Sequence, residues 1–108
     1  PMSDIKAIYI HETGGPDVLK YEGHDVFVPG KGQAMVRQTA IGVNFIDTYH
    51  RSGLYPFSVP GIPGTEGAGV VEMVGPDVTH LKSGDRVAYV GRGTYASHFT
   101  GPAAMMMT

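Results

Sequence analysis

Residues 40–56 read AIGVNFIDTYHRSGLYP, and within this run the spacing of the apolar side chains changes. Upstream, residues 33–43 (QAMVRQTAIGV) alternate between two faces of mixed polarity, which predicts a long strand. From Asn44 to Ser52 the aromatic and aliphatic side chains fall four apart, as on one face of a helix, and Gly53 is suited to end it. The run therefore predicts a long strand that leads into one short helix.

Polar side chains in this predicted helix indicate how it begins. Asn44 precedes the first helical residue and is a favoured N-cap, while Asp47 at the third position can complete a capping box. Asp47 and Arg51 stand four positions apart, which predicts an ion pair along one face.

The rest of the chain reads as short strands separated by turns. It holds 16 glycines and 8 prolines, placed between runs of β-branched residues. Residues 55–64 are rich in proline and glycine and predict a rigid surface loop. Further strands are predicted at 5–11, 18–28, 67–74, 85–90 and 95–99, with the pair Gly101-Pro102 breaking the chain. We expect a mainly β fold, an antiparallel barrel or sandwich.

Composition excludes several classes of protein. The chain has no cysteine, so disulfides, thiolate nucleophiles and cysteine-ligated zinc are excluded together. Its formal net charge is only -2, without runs of one sign, which argues against nucleic acid or a membrane surface as the partner. Apolar stretches fall far short of the roughly 20 residues that span a bilayer, and the first residues lack a signal peptide's apolar region. We expect a cytoplasmic protein in which Pro1 is a vector remnant.

Two motifs that suggest ligand binding have simpler explanations. The residues from Gly91 to Ala96 fit the pattern G-x-G-x-x-A of a dinucleotide-binding turn, but that turn must be followed by a helix. The residues that follow it here read as a strand, so we interpret the motif as a turn between strands. The five histidines do not fall in close pairs with carboxylates, and no metal site is predicted.

Residues 40–56 resemble the signature segment of the quinone oxidoreductases related to zeta-crystallin, in the medium-chain dehydrogenase/reductase superfamily. The segments 14–19 (GGPDVL), 63–71 (PGTEGAGVV) and 84–87 (GDRV) fall where that family also has them. The resemblance extends from about residue 5 to residue 99.

The resemblance implies a GroES-like, partly open β-barrel with one short helix, formed by residues 2–108. In the family this substrate domain is followed by a Rossmann domain that binds NADPH and by a returning segment that completes the barrel. The present residues contain neither, so we expect an incomplete domain that is inactive alone. Its exposed edge would favour self-association, and the full-length protein would be a homodimer.

The resemblance also bears on metal binding. Zinc alcohol dehydrogenases of the superfamily place a metal-binding cysteine where this chain has Asn44, and a metal-binding histidine where it has Thr65. Of such a ligand set only Glu66 remains, whereas catalytic zinc needs three protein ligands. The resemblance therefore implies a reaction without zinc.

By similarity to the metal-free branch, Asn44, Tyr49 and Tyr55 are expected to be catalytic, lining the pocket where nicotinamide and quinone meet. Asn44, Phe45 and Tyr49 would contact the cofactor. An amide or phenol could stabilise the charge that develops on a quinone oxygen. Each residue also has a structural interpretation.

Those structural interpretations remain open from the sequence alone. Asn44 could serve only as the N-cap, Tyr49 could pack beside Phe45, and Tyr55 could anchor the proline-rich loop. For Glu66 we favour the role of a structural carboxylate paired with Arg51 or Arg86.

Two functions follow from these expectations. In the first, the full-length protein transfers hydride from NADPH to quinones or conjugated carbonyls. In the second, the chain is a stand-alone GroES-like module for binding or assembly, without redox activity.

Overall fold

The computed structural model describes residues 5–25 and 28–108. The proposed vector residue Pro1, and residues 26–27 of the second predicted strand, lie outside this part. The strands are β1 (Lys6–Ile10), β2 (Leu19–Gly23), β3 (Gln33–Ile41), β4 (Glu66–Val74), β5 (Arg86–Val90) and β6 (His98–Pro102), and the helix α1 spans Phe45–Ser52. Among the described residues, no helix has the length and apolar character needed to cross a membrane.

The strands form two antiparallel sheets that do not close on each other. One has the order β5-β4-β3-β6, and the other is the hairpin of β1 and β2. Isolated pairs, Ala7 with Ala96 and Ile10 with Gly61, attach the hairpin to the rest of the chain. The expected mainly β fold with a partly open arrangement of sheets and one short helix is confirmed.

The core lies on one face of the larger sheet. Along β5, Val87 and Tyr89 are buried while the alternate residues are exposed, as the two-residue period of a strand requires. The ring of Tyr89 stacks on that of Phe99 in β6, with centroids 4.9 Å apart. The buried cluster comprises Ala34, Val36, Val71, Leu81, Val87, Tyr89, Phe99, Ala103 and Met106.

The central strands β3 and β4 pair with two irregularities in register, after Met35 and after Gln38. The extra residue at the first irregularity is Glu72 of β4. In β3, Ala34, Met35 and Val36 are all buried; Ala34 and Val36 belong to the buried cluster and Met35 does not, so both faces of β3 are covered here. The second irregularity lies where Gly69 packs against the backbone of Arg37, so closely that a Cβ atom at Gly69 would overlap the Arg37 carbonyl oxygen. Glycine is therefore required for the closest approach of the two strands.

The last strand differs from its prediction. The sequence indicated a strand at 95–99 with a break at Gly101-Pro102, but β6 spans His98–Pro102 and includes that pair. Pro102 has no backbone N–H to donate. An edge strand tolerates such a residue at its end, because one side of the strand has no partner within the sheet. Tyr95 pairs elsewhere: its carbonyl oxygen accepts the Ile8 N–H at 2.8 Å.

The final residues cover the outer edge of β5. Ala88 and Met107 exchange two backbone hydrogen bonds, each 2.9 Å long. Met106 is 3 % exposed and belongs to the core, while Met105 and Met107 on either side of it are exposed. Part of the sheet edge is thus paired within the chain.

Candidate active site

The helix α1 begins with the capping box that the sequence predicts. Asn44 is the N-cap in an extended conformation, and its backbone N–H donates to Oδ2 of Asp47 at 3.0 Å. The Asp47 N–H in turn donates to the Asn44 carbonyl oxygen at 3.0 Å. At the other end Gly53 adopts φ 88°, the left-handed conformation that ends a helix and favours glycine. The position of Asn44 is therefore fixed by the helix it starts.

Asp47 is a buried carboxylate with an unpredicted partner. Its side chain is 4 % exposed, and Oδ2 also accepts the hydroxyl of Tyr95 at 2.7 Å. Burial, reinforced by this contact with Asp47, raises the pKa of Tyr95 above its ordinary value. The second oxygen of Asp47, Oδ1, is buried without a hydrogen-bond partner among the described residues.

The predicted ion pair between Asp47 and Arg51 is wrong. Arg51 donates from Nε to the carbonyl oxygen of Gly14 at 3.2 Å and accepts the Gly14 N–H on its own carbonyl at 2.8 Å. The two members of the expected pair therefore serve different neighbours, because Asp47 turns inward and Arg51 reaches the loop after β1.

The side chain of Asn44 meets two residues at the start of β4. Its Nδ2 donates to Oε2 of Glu66 at 3.2 Å and makes a longer contact of 3.5 Å with Oγ1 of Thr65. The structure thus brings together the three positions 44, 65 and 66. The favoured pairing of Glu66 with Arg51 or Arg86 is wrong, because the exposed Glu66 carboxylate turns toward Asn44.

The two candidate tyrosines form a second group. The rings of Tyr49 and Tyr55 meet edge to face, with centroids 5.2 Å apart, and the Tyr55 N–H donates to the Tyr49 carbonyl oxygen at 3.2 Å. Tyr55 also approaches the buried His50, with ring centroids 6.5 Å apart. The helix places Tyr49 about 7 Å along its axis from Asn44.

Apolar side chains surround these groups on the outside of the molecule. Phe45 is 82 % exposed, so the packing of Tyr49 over Phe45 that the sequence allowed does not cover it. We call the exposed apolar side chains of α1 and of the residues on either side of it the apolar surface: Val43, Phe45, Ile46, Tyr49, Leu54 and Tyr55. Large exposed apolar side chains in this number are typical of a place where a ligand or another part of a protein binds.

A groove of about 600 Å³ begins at Glu66 and runs along the sheet. Small residues form much of its wall, among them Ala40, Gly42 and Ala88, and Met105 and Met107 also line it. Gly42 keeps room for Glu66 here, since a Cβ atom at Gly42 would overlap the Glu66 side chain. The groove therefore meets the site at the carboxylate that holds Asn44.

Neither of the two other motifs that suggested ligand binding forms the suggested site among the described residues. The residues from Gly91 to Ala96 lie between β5 and β6, so the prediction of a turn between strands is confirmed. Within residues 5–25 and 28–108, no group of three or more histidine or acidic side chains is arranged to hold a metal ion. Sequence reasoning missed the contact between Tyr95 and Asp47, whose partners are 48 positions apart and leave no local pattern.

Comparison with known proteins identifies the family of this chain. The alcohol dehydrogenase GroES-like domain family matches residues 30–108. A quinone oxidoreductase of Pseudomonas aeruginosa is 55% identical over 87 residues, which cover 78% of this chain and 26% of that protein. A 2-haloacrylate reductase of a Burkholderia species is 51% identical over 87 residues, covering 77% of this chain and 26% of that protein.

A solved structure leads to the same family. The quinone oxidoreductase of Escherichia coli, crystallised with NADPH, superposes with a TM-score of 0.90 at 44% identity, covering 94% of this chain and 32% of that one. The chain thus spans between 26% and 32% of the length of the relatives named above. The chain belongs to the alcohol dehydrogenase GroES-like domain family, and its resemblance to the quinone oxidoreductases of the medium-chain dehydrogenase/reductase superfamily is confirmed.

Proposed function

We propose that this chain is the substrate-side part of an NADPH-dependent oxidoreductase that reduces quinones or similarly conjugated carbonyls without zinc. The observation that carries the proposal is the Asn44 amide, held by Glu66 at the margin of an exposed apolar surface. Relatives named as quinone oxidoreductases and as a 2-haloacrylate reductase support both kinds of acceptor.

The exposed side chains fit one end of the cofactor. Phe45 and Tyr49 offer flat apolar faces beside the Asn44 amide, which suits a nearly flat, uncharged ring with an amide substituent, as in the dihydronicotinamide of NADPH. The turn from Gly91 to Ala96 leads into β6, so it lacks the helix N-terminus that holds a pyrophosphate. Asn44, Phe45 and Tyr49 would therefore hold the nicotinamide end only, and the cofactor, when bound, supplies the hydride.

The side chains of this chain would orient the acceptor and stabilise its charge. The amide of Asn44 carries two N–H donors. Glu66 accepts one at 3.2 Å, whereas the other makes only the 3.5 Å contact with Thr65 and could turn to an oxygen of the acceptor. That donor strengthens its hydrogen bond as negative charge develops on the oxygen. The hydroxyl of Tyr49 or Tyr55 could then donate the proton. The apolar surface would exclude water from the reacting atoms.

The donor set supports a reaction without zinc. The amide of Asn44 and the hydroxyl of Thr65 are neutral groups that serve zinc poorly, and the carboxylate of Glu66 accepts a hydrogen bond from that amide. The chain also has no cysteine to contribute. Hydrogen bonding and positioning are therefore the means of catalysis we assign to these residues.

The test is NADPH oxidation with 1,4-benzoquinone, run in parallel on the 108-residue chain and on the full-length product of the same gene. We expect activity in the full-length protein alone, with no dependence on added zinc or on a chelator. Zinc at one equivalent per chain in active protein would overturn the metal-free part of the proposal. Absence of activity in both samples would instead favour the binding or assembly module.

A further inference from the structure

Asp47 and Tyr95 lie outside the set of residues assigned to the acceptor, yet both bear on Asn44. We propose that they are positioning residues, which hold the backbone of Asn44 and so aim its amide at the acceptor. This inference rests on the proposed function and adds to it two residues that touch neither acceptor nor cofactor.

A single oxygen atom links the three residues. Oδ2 of Asp47 accepts the Asn44 backbone N–H at 3.0 Å and the Tyr95 hydroxyl at 2.7 Å. Because Asp47 is 4 % exposed, water cannot readily replace either donor. A buried carboxylate that loses a donor becomes strongly unfavourable, so the Tyr95 hydroxyl stabilises the Asp47 carboxylate that caps the helix.

Tyr95 is itself held rigidly, which a positioning role requires. Its N–H donates to the Pro63 carbonyl oxygen at 3.0 Å, and its own carbonyl accepts the Ile8 N–H at 2.8 Å. Gly64 adopts φ +110° against it, and a Cβ atom there would lie 2.7 Å from Cδ1 of the Tyr95 ring. The tyrosine is therefore fixed through its backbone and along its ring.

The same loop reaches Asn44 from the other side. Pro63 and Gly64, which contact Tyr95, are followed directly by Thr65 and Glu66, which contact the Asn44 amide. The backbone of Asn44 is thus attached through Asp47 and Tyr95 to the loop that also holds its side chain. Loosening one connection would let the amide shift relative to Glu66, and a misplacement of about 1 Å at a reacting group can lower a rate by roughly a hundredfold.

The test is a double-mutant cycle in the full-length enzyme with NADPH and 1,4-benzoquinone. We expect Tyr95→Phe to lower kcat about tenfold, with little change in the KM for the quinone, since a donor acting in the transition state is misplaced. In the Asn44→Ala background, Tyr95→Phe should have no further effect on kcat, because the group it positions is gone. Independent effects on kcat would overturn the proposal.

The matched control is Tyr9→Phe, which also removes one hydroxyl from a half-buried tyrosine. Tyr9 shares a 2.6 Å hydrogen bond with Nδ1 of His24, away from α1, so its loss should leave kcat unchanged. An equal fall in kcat for Tyr9→Phe and Tyr95→Phe would indicate general loosening of the fold and count against positioning.

A second readout separates this inference from the proposed function. Hydrogen exchange should accelerate at the start of α1 in Tyr95→Phe and not in Tyr9→Phe, whether or not the protein reduces quinones. If Tyr95→Phe does not fold, Asp47→Asn takes its place in the cycle, because it removes the charge and preserves the shape. Unchanged exchange at α1 in a folded variant would refute the role assigned to these residues.

Discussion

Gly42 lies directly against the side chain of Glu66, with no space for a Cβ atom between them. The obstacle is the side chain of Glu66 from Cγ outward and not backbone, so Gly42→Ala should force that side chain into another rotamer and leave the sheet intact. We expect the hydrogen bond from Asn44 to be lost and kcat for the quinone to fall several-fold, while stability changes by less than about 1 kcal/mol. Steady-state kinetics and thermal unfolding of the full-length protein measure both effects.

The comparison variant for this prediction is Glu66→Ala, which removes the same contact without touching Gly42. Both variants should lose a similar fraction of kcat. If Gly42→Ala lost activity and Glu66→Ala kept it, the effect would have to come from the backbone.

Gly69 should tolerate substitution far less well than Gly42. Its added Cβ atom would overlap the carbonyl oxygen of Arg37, which belongs to the backbone of the paired strand and cannot rotate away. We expect Gly69→Ala to destabilise the fold by roughly 3 kcal/mol or more. Gly23→Ala is the control, since the nearest atom to its Cβ is the mobile Lys6 Nζ at 4.0 Å. Urea unfolding monitored by circular dichroism should show near-native stability for Gly23→Ala alone.

The stacked pair of Tyr89 and Phe99 should dominate the stability of the larger sheet. Phe99 is 7 % exposed, and its ring also lies where a Cβ atom at Gly101 would approach to 2.7 Å. Phe99→Ala should therefore leave a cavity and cost about 3–5 kcal/mol. Phe99→Leu should cost less, because it fills part of the same volume. Equal denaturation midpoints for the two variants would show that the ring volume is not what stabilises the core.

The raised pKa values of two tyrosines lead us to expect that the folded protein loses stability in alkali. Burial raises the pKa of Tyr89 and of Tyr95, whose Asp47 contact adds to the effect, while in the unfolded chain both ionise near the ordinary value of about 10. The unfolded state therefore loses these protons first. Stability should be complete below about pH 10 and fall as the pH rises beyond it. Urea midpoints between pH 8 and pH 11 measure the trend, and Tyr89→Phe should flatten it.

The apolar surface should make the 108-residue chain associate with itself. Phe45 is its most exposed member at 82 %, and other large apolar side chains are exposed on α1 and in the loop after it. Light scattering coupled to size exclusion should give a mass that rises with concentration. Phe45→Ser should shift the equilibrium toward the monomer. A constant monomer mass for the unmodified chain across the concentration range would contradict the prediction.

Much of the fold can be predicted from the sequence, because patterns of neighbouring residues determine where most of the strands begin and end. Turns rich in glycine and proline bound short β-branched runs, and β1, β3, β4 and β5 fall within two residues of their predicted bounds. The start of β6, in contrast, depends on contacts between residues that are far apart in the sequence. Tyr95 and Ala96 are drawn to β1, by the Ile8–Tyr95 hydrogen bond and the Ala7–Ala96 pair, and such long-range pairing leaves no periodicity to read.

The candidate site also combines contacts that neighbouring residues determine with contacts that depend on the tertiary fold. The capping box of Asn44 and Asp47 spans four consecutive residues and could be predicted. The contact of Asn44 with Glu66, 22 positions away, and that of Tyr95 with Asp47 depend on how the loops meet. The error over Asp47 and Arg51 has the same origin, since helical spacing allows an ion pair but burial of the carboxylate decides against it.

Three consecutive methionines near the end of the chain differ sharply in their access to solvent. Met105 and Met107 are 47% and 73% exposed, whereas Met106 is 3% exposed within the core. Hydrogen peroxide should convert the outer two to sulfoxides while the fold is intact, and reach the middle one only after local unfolding. Oxidation of these three methionines therefore reports on the state of the fold. Mass spectrometry of one short fragment that contains them distinguishes oxidative damage at the surface from opening of the core.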